Sequence, residues 1–92
     1  IMDIYQLSFL KILNLDSNAL TDDSIPHISR LTGLERLSLA SNDFRDGLAK
    51  LATLPNLVEL NLTLNKKLPD SAIAAFLDKK LETLDIEHTL VT

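Results

Sequence analysis

One spacing of apolar residues returns four times along this chain, and it restricts the possible folds more than any other feature. It appears first as Leu10-Lys-Ile-Leu13-Asn-Leu15-Asp-Ser-Asn18-Ala-Leu20, and again as Leu34-Glu-Arg-Leu37-Ser-Leu39-Ala-Ser-Asn42-Asp-Phe44. The third copy is Leu57-Val-Glu-Leu60-Asn-Leu62-Thr-Leu-Asn65, and the fourth is Leu81-Glu-Thr-Leu84-Asp-Ile86-Glu-His-Thr89. The copies start at residues 10, 34, 57 and 81, at intervals of 24, 23 and 24. A period of this length marks a repeat architecture, in which one structural unit stacks on the next. Composition agrees. Leucine dominates the 46% of residues that are hydrophobic, whereas a compact core mixes side-chain shapes to fill space. One packing position is being used many times.

The spacing resembles the leucine-rich-repeat family, whose motif is Leu-x-x-Leu-x-Leu-x-x-Asn-x-Leu, and the resemblance covers the whole chain. Within each copy, apolar residues alternate with others, which is strand periodicity with one face buried. Leu13 and Leu15, Leu37 and Leu39, Leu60 and Leu62, and Leu84 and Ile86 are expected to point inward. The resemblance implies an α/β fold: a leucine-rich-repeat solenoid bent into a curved arc. A parallel β-sheet would line its concave side, with short helices or helical turns on the convex side. Asn18, Asn42 and Asn65 form a column just past each strand, where the turning backbone leaves polar groups without ladder partners. An amide side chain both donates and accepts, so these three are read as a structural asparagine ladder. The fourth copy carries Thr89 there, which makes fewer bonds, and the ladder is expected to weaken at that point.

The second half of each repeat also recurs. Asp22, Asp46 and Asp70 match once an insertion at Lys66-Lys67 is allowed for. Apolar residues at helical spacing follow them, such as Ile25, Ile28 and Leu31, then Leu48, Leu51 and Leu54, then Ile73, Phe76 and Leu77. Asp is a favoured helix N-cap, so a short helix or helical turn capped by each aspartate is expected, the third one closed by Lys79-Lys80. Pro26 fits a first helical turn, and Pro55 and Pro69 suit connections. The insertion delays the next apolar residue to Leu68 and is expected to bulge the third repeat's loop outward. Residues 1–10 overlay on 25–34 in the same frame. The chain therefore divides into the end of a preceding repeat at 1–9, repeats at 10–33, 34–56 and 57–80, and an incomplete repeat at 81–92. Both ends fall in mid-repeat, as expected of an internal window of a longer protein.

Charge and chemistry narrow the function. Nine basic and thirteen acidic residues give a net charge of −4, without the clustered cations that a phosphate backbone requires, so nucleic acid is not the expected partner. No apolar run approaches the roughly 20 residues that cross a bilayer, so no membrane insertion is expected. Cysteine is absent, and His27 and His88 lie in different parts of the repeat, so no metal site and no cofactor are expected. The missing cysteines lean towards an intracellular setting. Asn61-Leu62-Thr63 matches a glycosylation sequon, which matters only in a secreted protein. Gly33 and Gly47 are the only glycines, which leaves no phosphate-cradling loop, and no histidine stands near a nucleophile. Catalytic residues are not expected, and neither is an enzyme.

In the family, the outward residues of the strands form the usual binding surface. Carried over by position, they make columns of Ile12, Arg36, Glu59 and Thr83, and of Asn14, Ser38, Asn61 and Asp85. Next come Asp16, Ala40, Thr63 and Glu87, and on the turn beyond lie Ser17, Ser41, Leu64 and His88. The candidate partner-binding residues are Ile12, Asn14, Asp16, Arg36, Ser38, Glu59, Asn61, Thr63, Thr83, Asp85, Glu87 and His88. This surface is polar and becomes acidic towards the fourth repeat. Arg36 is its one residue of a type enriched at binding hot spots. The expectation is a protein–protein interaction module presenting a concave, mildly acidic surface to a protein partner with a basic segment. Two alternatives stay open: a structural or regulatory arm that positions or shields a neighbouring domain or subunit, and the substrate-recognition arm of a larger enzyme such as a ligase.

Overall fold

A computed structural model of the chain describes residues 10–45, 47–76 and 81–89. Each copy of the spacing forms a three-residue strand at the same place: β1 at Ile12–Asn14, β2 at Arg36–Ser38, β3 at Glu59–Asn61 and β4 at Thr83–Asp85. The four strands pair in parallel and in chain order as one sheet. Leu13 lies opposite Leu37, Leu37 opposite Leu60, and Leu60 opposite Leu84, so the register reproduces the sequence repeat residue for residue. The pleat explains why. A slip of one residue would turn every one of these leucines out of the core. The hydrogen-bonded pairing continues past the strands, from Leu15 N–H to Ser38 O and from Ser17 N–H to Ala40 O, with the same pattern in the next two repeats.

The rest of each repeat packs short helical turns against the sheet. A 3₁₀ turn at Asp22–Ser24 runs into α1 at Ile25–Ile28; a second spans Ala49–Thr53; and α2 at Asp70–Ile73 runs into a third at Ala74–Phe76. Pro26 sits in the first turn of α1, where its missing N–H leaves no bond unmade. Leu37, Leu39, Leu60 and Leu62 from the sheet meet Ile28, Leu51 and Phe76 from the helical layer in one buried core. At the two ends of the sheet Leu13, Leu15, Leu84 and Ile86 are half-buried and pack on that core. The result is an α/β fold of two layers. Leu77 and Lys79-Lys80 lie outside the described residues.

Asp22 and Asp70 do not cap their helical turns as the spacing predicts. Thr21 is the N-cap of the first turn, its hydroxyl accepting from Asp23 N–H at 3.4 Å. An oxygen one residue earlier thus serves that turn, and Asp22 reaches across to the next repeat instead. Its carboxylate accepts from Arg45 N–H and Gly47 N–H, both at 2.9 Å. Gly47 makes room for this clasp, since a Cβ there would lie 2.7 Å from the nearer Asp22 oxygen. Asp70 lies inside the first turn of α2, with Pro69 at the cap position and no side-chain cap bond. Asp46 falls outside the described residues.

The Lys66-Lys67 insertion is absorbed by a tight turn, closed by a bond of 3.0 Å from Leu68 N–H to Asn65 O. Leu68 returns to full burial, and both lysines are exposed.

Candidate partner-binding surface

The parallel register lines up the residues that point away from the core. Ile12, Arg36, Glu59 and Thr83 form one row across the four strands, and Asn14, Ser38, Asn61 and Asp85 form a second. Asp16, Thr63 and Glu87 continue the same side just past the strand ends, and His88 follows on the turn. The first two rows line a shallow depression of about 270 Å³. Ile12 is 63% exposed at one end of it.

Charge is unevenly spread over this face. Arg36 Nε stands 3.6 Å from Glu59 Oε2 on the neighbouring strand, and Lys11 Nζ lies 3.9 Å from Glu35 Oε2. These pairs are substantially exposed, so each contributes little to stability, but each balances its local charge. Asp85 and Glu87 are exposed on the β4 side and are not balanced in this way by any ion pair among the described residues. Arg36 and Glu59 thus offset each other on β2 and β3, and the carboxylates of the face left without an ion pair are Asp16, which accepts from Ser38 and Ala40, and the exposed Asp85 and Glu87 at β4.

Several polar side chains of the face are already engaged. Two residues past the last residue of β1, β2 and β3, a backbone N–H is met by a side-chain oxygen in place of a ladder partner. In the second repeat this is Ala40 N–H, and Asp16 Oδ1 accepts it at 2.8 Å while also accepting the Ser38 hydroxyl at 2.6 Å. In the third repeat the preceding residue of that column is Ala40, which has no oxygen to offer. There Asn61 Oδ1 accepts Thr63 N–H at 3.0 Å, and in the first repeat Asn14 Oδ1 likewise accepts Asp16 N–H at 2.9 Å. One backbone requirement is met in two ways, and the face carries the side chains that meet it.

The asparagine column works between repeats. Asn42 Nδ2 donates to Leu15 O and Leu39 O at 3.0 Å and to Ala40 O at 3.1 Å. Its Oδ1 accepts from Asn18 N–H and Leu20 N–H. Asn65, fully buried, donates to Leu39 O and Leu62 O and accepts from Phe44 N–H. Asn18 is exposed and its amide donates to Asp16 O, while Thr89 Oγ1 donates to Ile86 O at 2.7 Å.

Sequence reasoning missed the backbone at the residue before each of these. Ser17, Ser41, Leu64 and His88 all hold a left-handed conformation, with φ of 59°, 57°, 65° and 58°. No glycine marks that column, so composition carried no signal for it. The Asp16 clasp had a faint one, because an alanine follows it by 24 positions in a column that is otherwise polar.

Among the described residues no cluster of His, Cys, Asp or Glu could hold a metal, and no helix is long and apolar enough to cross a membrane. Residues 6–25 match the model of a family described as Leucine Rich repeat. A comparison with curated proteins gives no match. Repeats of this family generally mediate protein–protein interaction and are typically not enzymes. The matched segment holds the first copy of the spacing, and the other three copies of that spacing fold onto adjacent strands of the same parallel sheet beside it.

Proposed function

We propose that this chain is an interaction module whose open sheet face, as the concave side of a curved solenoid, receives a protein partner through a basic segment. The observation that carries the reading is the graded charge of that face, neutral where Arg36 meets Glu59 and acidic at the exposed Asp85 and Glu87. Carboxylates held on rigid strands attract Lys and Arg, and such attraction raises association rate more than affinity. Binding is therefore expected to weaken with salt. An intracellular location is proposed for the chain, in keeping with the absence of cysteine.

Titration with a fluorescent Lys- and Arg-rich peptide tests this directly. Asp85→Lys with Glu87→Lys is expected to abolish binding and leave the unfolding midpoint unchanged, because both side chains are exposed. Unchanged binding by that variant would remove the proposal.

One observation favours a second reading, that of a structural arm. Asn14, Asp16 and Asn61 serve the backbone and Arg36 is already paired, so few anchors remain free on the face. An arm would make its contacts on the helical layer instead.

A further inference from the structure

Ile12 stands on the open face without a reason inside the fold. Its neighbour Leu13 packs on the core, so the pleat turns Ile12 to the other side, where it is 63% exposed. Arg36, Glu59 and Thr83 hold the same place on the other three strands. The position therefore does not demand an apolar side chain, and this one does not recur.

At the opposite end of the same depression lies Asp85, with Glu87 just past β4. Both carboxylates are exposed, and neither has an ion pair among the described residues. Between the two ends, Arg36 and Glu59 are occupied with each other. What the middle does offer is hydrogen-bond donors. Asn14 Oδ1 and Asn61 Oδ1 each accept a backbone N–H, which leaves Nδ2 of each amide without a bond among the described residues.

The parallel register sets the distance between the ends. Neighbouring strands lie about 4.8 Å apart, so three spacings separate β1 from β4 by about 14 Å. An extended chain advances about 3.3 Å per residue and covers that span in about four residues.

We propose that the partner's basic segment crosses the four strands in extended form, an apolar side chain over Ile12 and a Lys or Arg about four positions away at Asp85 and Glu87. This rests on the open face being the partner-binding surface. The apolar contact removes the exposed surface of Ile12 from water. Asn14 and Asn61 donate to carbonyls of the segment, which have no partner of their own in an extended chain. Charge alone would hold a basic segment in any direction across the sheet. An apolar contact at the far end fixes which part of the segment lies over β1.

Two fluorescent peptides of equal composition test the proposal, one with a leucine four positions from a Lys-Lys pair and one with the leucine next to it. The unmodified chain is expected to bind the spaced peptide at least ~10-fold more tightly than the other. Ile12→Thr keeps a β-branched residue on an exposed strand position and is expected to bind both peptides equally, at the weaker level. Asp85→Lys with Glu87→Lys is expected to bind neither. Equal binding of the two peptides by the unmodified chain, or a preference kept by Ile12→Thr, would overturn the proposal and leave the acidic face as the binding surface. Binding kept by Asp85→Lys with Glu87→Lys, or no binding of either peptide by the unmodified chain, would overturn both.

Discussion

On the core side of the sheet, Leu37 and Leu60 occupy equivalent places, are both leucine, and are 2% and 1% exposed. On the other side their neighbours Arg36, Ser38, Glu59 and Asn61 share a register and little else. The two sides are built by the same strands, so the backbone does not account for the contrast. What differs is the constraint. A leucine between stacked repeats touches its counterparts above and below, and any change of volume is felt by all of them. A residue on the open side answers to solvent, to a polar neighbour on the next strand, to an unpaired backbone N–H, or to a partner. Repetition therefore marks packing, and lapses of repetition mark where function can enter.

That contrast can be broken by substitution. The largest effect is expected at Leu60, where replacement by Ala costs about 2–5 kcal/mol, whereas Thr83→Ala on the open side stays within about 0.5 kcal/mol. Urea unfolding of both variants measures the difference directly. Asn65→Ala comes next, at about 3 kcal/mol, because it leaves Phe44 N–H buried without its acceptor. Asn18→Ala, with an exposed side chain, is expected to cost under about 1 kcal/mol in the same assay.

Smaller effects sharpen the boundary between the two sides. Asp16→Ala is expected to cost about 1–2 kcal/mol, since it frees both Ala40 N–H and the Ser38 hydroxyl, although Asp16 belongs to the open side. A neutral result in thermal melts would return Asp16 to the pool of free surface residues. Asp22→Ala and Gly47→Ala should each destabilise through the same clasp, so the double variant should cost less than the sum of the two. A small effect, below about 1 kcal/mol, is expected from Arg36→Ala, because its pair with Glu59 is exposed.

Much of the fold was legible because leucine and asparagine recur where the structure leaves no choice. The register of Leu13, Leu37, Leu60 and Leu84 follows from spacing alone. The left-handed column was not legible, because Ser17, Ser41, Leu64 and His88 share a conformation and not a residue type. Asp22 was misread for a related reason. Asp suits a helix start equally well whether it caps its own turn or reaches the next one, and only the neighbouring Thr21 and Gly47 decide between them. On the open side, sequence gave the rows of the surface but could not separate side chains such as Asp16, engaged with backbone, from those such as Asp85 that remain exposed.

Amide chemical-shift mapping of a Lys- and Arg-rich peptide on isotope-labelled protein tests the division of labour between the two sides most directly. The expected result is a contiguous set of shifted amides at Glu59, Thr83, Asp85 and Glu87, with α1 and α2 unmoved. Shifts confined to the helical layer, or none at all, would contradict it.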